Sequence, residues 1–202
     1  MQKHIILIFL FLTISTEFEV NEGDLEKLSK NKEFLINPFQ RFHKETAIVT
    51  GGTKEDFNSL VIGWGQMGVL WQKPVITVYV KPERYTWKFL EKGEYFTVSF
   101  LKRKHRKKLG FIGSKSGRDL KNKEKEAGLH IINKGPGLGI IFKESYETYV
   151  CKLLYKHPIN YNMMHKEIQI LYDSLVGNVN ENNTPHSEYI GEIIAHYFEK
   201  GR

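Results

Sequence analysis

Two short segments of the chain carry residues able to hold an anion. Lys81-Pro82-Glu83-Arg84-Tyr85-Thr86 is a corner where an apolar run ends and a helical pattern begins. Pro82 fixes the direction in which the chain leaves, Thr86 is placed to cap the helix, and Arg84 adds a full positive charge to its start. Exposed N–H groups and the positive dipole end of a helix suit a phosphate. The second segment is Gly113-Ser114-Lys115-Ser116-Gly117-Arg118-Asp119. Its two glycines permit sharp turns, and its two hydroxyls and two cations can all donate to anionic oxygens. It is not a P-loop, because the Gly-Lys-Ser/Thr ending is missing. Each segment alone also reads as an ordinary capped helix or a polar loop; two in one small chain reinforce each other.

Between them in character is VIGWGQMGVLW, residues 61–71. Gly63, Gly65 and Gly68 leave backbone amides open to close approach by the face or edge of a planar ring. Trp64 and Trp71 can stack on such a ring, although each indole taken singly reads as core. Residues 102–108, KRKHRKK, are Lys or Arg at six of seven positions, with His105 the seventh. That run reads as a solvated helix face, as a field that draws in an anionic dinucleotide, or as a nucleic-acid contact, for which no accompanying motif is present. KGPGLG at 134–139 is followed by strand-like residues and so is not a dinucleotide fingerprint. The histidines at 4, 43, 130, 157, 165, 186 and 196 show no zinc-type spacing, so no metal site is expected. Cys151 is the one cysteine. It permits no intrachain disulfide and reads as a small buried hydrophobe in a strand.

These residues must be positioned by a chain of 202 amino acids, enough for one substantial core. Hydrophobic residues make up 41% and the net charge is +7, a globular composition that favours anionic partners. Strands are expected at 46–50, 59–63, 75–80, 95–101, 129–133, 139–142, 144–155 and 187–200, with Pro74 turning the chain into the third. Short helices are expected at 24–32, 86–91, 120–127 and 165–174, and GFIGSKSGRD (110–119) reads as a loop. The helices are too few for a doubly wound sheet, so a mainly β (α+β), closed or partly closed antiparallel barrel is expected. Residues 1–16 have a charged start and an apolar run, Ile5 to Leu12, too short to span a bilayer. They fit a signal peptide and export, with a weak cleavage site; a mis-assigned start and a buried strand are the other readings. Residues 17–36 read as a polar extension and 37–202 as the folded domain.

From Asn37 to Lys200 the chain resembles the flavin reductase-like family, most closely its flavoredoxin branch. The resemblance is carried by NSLVIGWGQMGVLWQKP (58–74), KPERYT (81–86), YFTVSF (95–100) and GSKSGRD (113–119), and by the spacing between them. It implies an FMN-binding split β-barrel of Greek-key type, a homodimer with flavin near the subunit interface. It implies that the segment containing Asn58, Ser59, Leu60, Ile62, Gly63, Trp64 and Gly65 lies along the isoalloxazine and ribityl chain. Arg84, Tyr85 and Thr86, with Ser114, Lys115, Ser116, Gly117 and Arg118, would hold the phosphate end, and Ser99 joins the implied cofactor set. His186, with four residues between it and Gly191, matches a family histidine near the approach of the nicotinamide of NADH or NADPH. Thr184-Pro185 stands where the family has Gly-Asp, and Leu60 and Lys81 stand where the flavoredoxin branch often has Thr and Arg. The expected function is an FMN-dependent oxidoreductase fed by a reduced nicotinamide or a redox protein partner. The alternatives are a non-enzymatic FMN electron carrier and a basic module binding nucleic acid or anionic lipid.

Overall fold

The computed structural model describes residues 37–133 and 137–199. The expected leader and the 24–32 helix lie outside them, as does part of the 134–139 glycine turn. Seven strands form one antiparallel sheet: β1 (Ala47–Gly52), β2 (Phe57–Ile62), β3 (Gly65–Leu70), β4 (Lys73–Val80), β5 (Tyr95–Leu101), β8 (Ser145–Pro158) and β9 (Ser187–Phe198). Their order is β2-β1-β5-β8-β9-β4-β3. β6 (Ile131–Asn133) and β7 (Ile140–Phe142) pair separately. The helices are α1 (Trp87–Lys92), α2 (Arg106–Ser114), α3 (Lys123–Glu126) and α4 (Lys166–Val176).

The order makes the sheet a barrel that does not zip. β2 and β3 occupy opposite edges, yet only Gly63 and Trp64 separate them in the chain. The edges must therefore meet, and no ladder joins them among the described residues. The long central strands β8 and β9 curl through register shifts at Val150/Cys151 and Leu153/Tyr155, as bulges do when a sheet must bend. The split barrel implied by the resemblance is thus the observed architecture. Its core is β-branched and aromatic: Ile48, Val49, Ile76, Val78, Phe96, Val98, Phe100 and Tyr189 are all fully buried. A second core lies where α2 and β7 pack against the sheet, built on Leu101, Leu109, Ile112, Leu138, Ile140 and Phe142.

At the seam a helical turn (Pro38–Gln40) runs into a π-helical turn (Arg41–Glu45) that buries Phe42. Phe42 packs edge-on against Phe100, with ring centroids 5.6 Å apart. Its ring fills the space beside Gly65, where a Cβ would lie 2.6 Å from Phe42 Cζ and closer still to Cε1. The glycine expected to face a bound ring therefore faces the chain's own phenyl group. Gly65→Ala is expected to cost about 1–3 kcal/mol by overpacking, read as a lower urea midpoint. Phe42→Leu in the same chain should recover part of that loss; no recovery would show that the ring is not the obstruction.

Several local expectations are corrected. Trp71 and Gln72, both at positive φ (50° and 60°), make the two-residue turn between β3 and β4, the geometry that tight hairpins require. Pro74 lies inside β4, opposite Val69 on the edge strand and short of the pairing with β9. A proline is tolerated there because it meets no second ladder. Gly110 and Gly113 do not open a loop: α2 continues through Ser114, held by the burial of Leu109 and Ile112. The helix expected over 120–127 shrinks to the single turn of α3. Trp64 and Trp71, which read as core singly, are 42% and 64% exposed. Cys151 is fully buried, which pushes its thiol up, so it behaves as the small hydrophobe expected.

Candidate functional site

The two segments expected to hold an anion face each other. Arg84, Tyr85 and Thr86 form one wall of a cleft of about 210 Å³, and Gly113 to Arg118 form the other, with Leu60 at the base. Arg84 Nη2 donates to Gly113 O at 3.2 Å and bridges the walls. Four cations line the cleft, Arg84, Lys115, Arg118 and Lys123, against one carboxylate, Glu83. That balance favours a dianion.

Lys123 is the residue that sequence reasoning missed. It sits in the polar run NKEKE, where a lysine reads as solvent-facing, yet it is 2% exposed. Its Nζ donates to Lys115 O at 3.1 Å. Burial, and then the Arg84 charge, pull its pKa below the ordinary lysine value, partly opposed by Glu124. Glu124 and the Lys115 carbonyl stabilise this buried ammonium, and the remaining charge on the cleft wall is positive. The signal available in sequence was its place four residues after Asp119, close to the loop it reinforces.

The hydroxyls divide unevenly. Thr86 is buried and lines the cleft, but it does not cap α1; its Oγ1 donates to Asn58 Oδ1 at 2.8 Å. Ser114 Oγ donates back to Phe111 O at 3.1 Å. Ser116 Oγ accepts the Arg118 N–H at 3.1 Å, so its own proton is available to a ligand. Gly117 is required by closeness: a Cβ there would lie 2.6 Å from Tyr85 Cδ1 and closer to Asn58 Nδ2. Tyr85 is held by Lys88, whose Nζ lies 3.7 Å from the ring centroid.

Of the strand residues, Leu60 reaches the cleft and the exposed Gly63 and Trp64 continue from the end of β2. Asn58 stands behind the cleft, bonded to Thr86, and Ile62 is buried. Ser59 does not join them: its Oγ pairs with Thr50 Oγ1 at 2.8 Å and its N–H with Glu124 Oε1 at 2.9 Å. In a strand neighbouring residues point to opposite faces, so Ser59 points away when Leu60 points in. Ser99 is fully buried on β5 and bonded to Thr148 at 3.0 Å, so it is a barrel residue and not part of the cleft.

His186 comes to the seam from the other side. Its ring centroid is 5.0 Å from that of Trp64. The corner delivers it there. Lys81 Nζ donates to Asn183 Oδ1, and Glu83 Oε1 accepts both the Thr184 N–H (2.6 Å) and the Thr184 hydroxyl (2.9 Å). Thr184, standing where the family has Gly, thus ties the loop before β9 to the cleft. Tyr172 OH accepts the His186 N–H at 3.1 Å and lies 2.6 Å from Nδ1. Burial, and then Lys81, lower the His186 pKa to about 4, opposed by Glu83. The ring is neutral near pH 7. Either partner of the Tyr172 OH–Nδ1 contact can donate, so this bond fixes the ring's position and not its tautomer.

The split barrel thus carries a cationic cleft beside β2, an exposed indole just past the end of that strand, and a neutral imidazole against the indole. Residues 39–201 match the family model described as flavin reductase like domain, and the chain belongs to that family. It is similar to an uncharacterized protein of Aeropyrum pernix, 33% identical over 92 residues, or 46% of this chain; the match spans 34% of that protein, about a third of its length. Among solved structures, it resembles an FMN-binding protein from Thermus thermophilus with bound p-hydroxybenzaldehyde (21% identity, TM-score 0.58, covering 77% of this chain and 72% of that one). It also resembles flavoredoxin from Methanosarcina acetivorans (20%, 0.57, 77% and 69%). A third is a flavin reductase with a split barrel domain from Shewanella frigidimarina (14%, 0.60, 85% and 80%). At these identities the structures establish the shared fold.

Proposed function

We propose that the chain binds FMN and passes electrons through it, from a reduced nicotinamide or a protein donor to an acceptor. The observation that carries this reading is the buried Lys123 in a cleft of four cations that also reaches Leu60, three residues before Gly63 in the chain. The residues fit the group. Arg84, Lys115, Lys123 and the Ser116 hydroxyl would hold a phosphate dianion, Leu60 would offer apolar contact to a ribityl chain, and Trp64 with the Gly63 backbone would face a planar ring. Bound FMN supplies the redox chemistry, and the protein supplies position and electrostatics. His186, neutral near pH 7, offers a hydrogen-bonding ring edge to an incoming carboxamide without adding charge. A homodimer is part of the proposal: Ile168, Leu171 and Leu175 form an exposed apolar stripe on α4, and Val69 and Trp71 are exposed on β3 and its turn. Such surface in a folded protein calls for a partner.

The test is titration of purified, flavin-free chain with FMN, followed by anaerobic mixing with NADH and with NADPH. Micromolar or tighter uptake is expected, and a protein that takes up no FMN would end the proposal. Bleaching by a nicotinamide makes the chain a reductase. His186→Ala is expected to slow that bleaching by about 10-fold, the effect of one lost hydrogen bond. The second reading, an electron carrier, is favoured by Thr184-Pro185 in place of Gly-Asp; it requires bound FMN that neither nicotinamide bleaches.

A further inference from the structure

The basic run KRKHRKK, residues 102–108, takes no part in the cleft. Lys102 is paired with Glu199, and Lys108 donates to Gly128 O and lies 3.5 Å from Glu144. Glu144 also accepts the His130 N–H at 3.0 Å and lies 2.7 Å from its Nδ1. That leaves Arg103, Lys104, Arg106 and Lys107. All four are exposed, and none forms an ion pair among the described residues. The fold gains nothing from them. Arg103 to His105 make a 3₁₀ turn and Arg106 opens α2, so Arg106, Lys107 and Lys108 stand in the first turn of a helix that has no acid there. Cations at that end oppose the helix dipole. His105 feels the crowding: burial, then the Lys108 and Lys104 charges, pull its pKa below the ordinary histidine value, opposed by Glu144.

We infer that Arg103, Lys104, Arg106 and Lys107 form a docking surface for the acidic face of a small electron-transfer protein. What docking achieves rests on reading the cleft as a flavin site; the surface itself rests on its charges alone. The make-up of the patch selects among anionic partners. No residue from 102 to 110 exposes a large apolar side chain. A membrane surface calls for an apolar face that sinks into it, and a nucleic-acid single strand calls for aromatic platforms. Cations without an apolar centre suit a transient, electrostatically steered encounter between proteins. The candidate site brackets the run. At one end it leaves β5 just after Phe100, whose ring packs on Phe42 at the seam. At the other, α2 continues for about 13 Å to Gly113 and Ser114 in the cleft wall. A one-electron donor docked here is oxidised once per encounter, so two donors are oxidised for each FMN, which gains two electrons and one proton from solvent.

The experiment uses an acidic plant-type ferredoxin as the probe and two double variants of the full chain. Arg106→Glu/Lys107→Glu reverses the patch, and Lys54→Glu/Lys166→Glu makes the same change in net charge at exposed positions elsewhere. Calorimetric titration of the flavin-free natural chain with oxidised ferredoxin is expected to show binding that weakens at least about 10-fold between about 20 and about 200 mM salt. The patch variant is expected to weaken it at least about 10-fold at low salt and the control variant less than about threefold. Bleaching of FMN-loaded chain by reduced ferredoxin should follow the same order, with FMN affinity within about twofold in both variants. No binding of ferredoxin by the natural chain overturns the inference. Equal loss in the two variants overturns it too, because net charge and not a patch is then responsible. Ferredoxin binding untouched in the patch variant, with loss of a DNA duplex of about 20 base pairs or of phosphatidylserine vesicles, assigns the patch to those partners instead. Binding through the patch without bleaching overturns the electron-transfer role. A chain that binds ferredoxin through the patch but takes up no FMN retains the docking surface and loses the flavin reading.

Discussion

Lys123→Met is expected to weaken FMN binding by about 10–100-fold while leaving riboflavin affinity within about twofold. The range corresponds to one charge-assisted hydrogen bond to a phosphate, about 1.5–3 kcal/mol. Methionine keeps the length and the packing of a side chain that is 2% exposed, so the ammonium is what changes. The pH dependence follows from the direction of the shift. Burial and Arg84 hold the Lys123 pKa below the ordinary lysine value near 10.4. The cation is therefore lost earlier than usual as pH rises, and FMN affinity should decline on the alkaline side before an ordinary lysine would titrate. On the acid side it should rise through pH ~6, where the phosphate gains its second charge. Equal loss of FMN and riboflavin would make Lys123 a packing residue, and no loss of either would remove it from the site.

Glu147→Ala is expected to cost about 3–5 kcal/mol of stability, measured by urea unfolding, because it strands a buried charge network. Glu147 accepts from Tyr149 OH at 2.7 Å and from His196 Nε2 at 3.0 Å, and pairs with Arg41 at 3.2 Å. Tyr149 and His196 stack with ring centroids 4.3 Å apart. The network ties the π-helical turn, and with it Phe42, to β8 and β9. Burial raises the Glu147 pKa, but the hydrogen bonds from His196 and Tyr149 and the Arg41 charge outweigh it and leave the carboxyl below its ordinary value. The contribution is therefore complete above the unfolded carboxylate value near 4.3 and is lost as pH falls through the lower folded value. The natural chain should lose stability over that acid window, and the alanine variant should show a flatter profile. A loss below about 1 kcal/mol would mean that the network is solvated and weak.

Strands were legible where burial imposes a pattern. β5 spans Tyr95–Leu101, the span expected from its alternation, and β4 was visible as a run of β-branched residues. The two walls of the cleft were legible as segments because glycine, hydroxyl and cation types crowd into each. What could not be read locally was produced by distant packing. α2 runs through two glycines because Leu109 and Ile112 are buried against the sheet. Phe42 fills the space beside Gly65 from more than twenty residues away. Ser99 carries a family-like segment but turns into the barrel, and Lys123 becomes buried only when its turn docks against Lys115. Thr184 looked like a departure from a motif until Glu83 supplied its partner.

The seam has its own mechanical consequence. Its two lips share one covalent joint, Gly63–Trp64, and no ladder among the described residues. Backbone pairing therefore does not set the gap between them. Phe42 wedges the joint at one end and the His186 ring lies against Trp64 at the other, so side-chain packing rather than hydrogen bonding spaces the two lips.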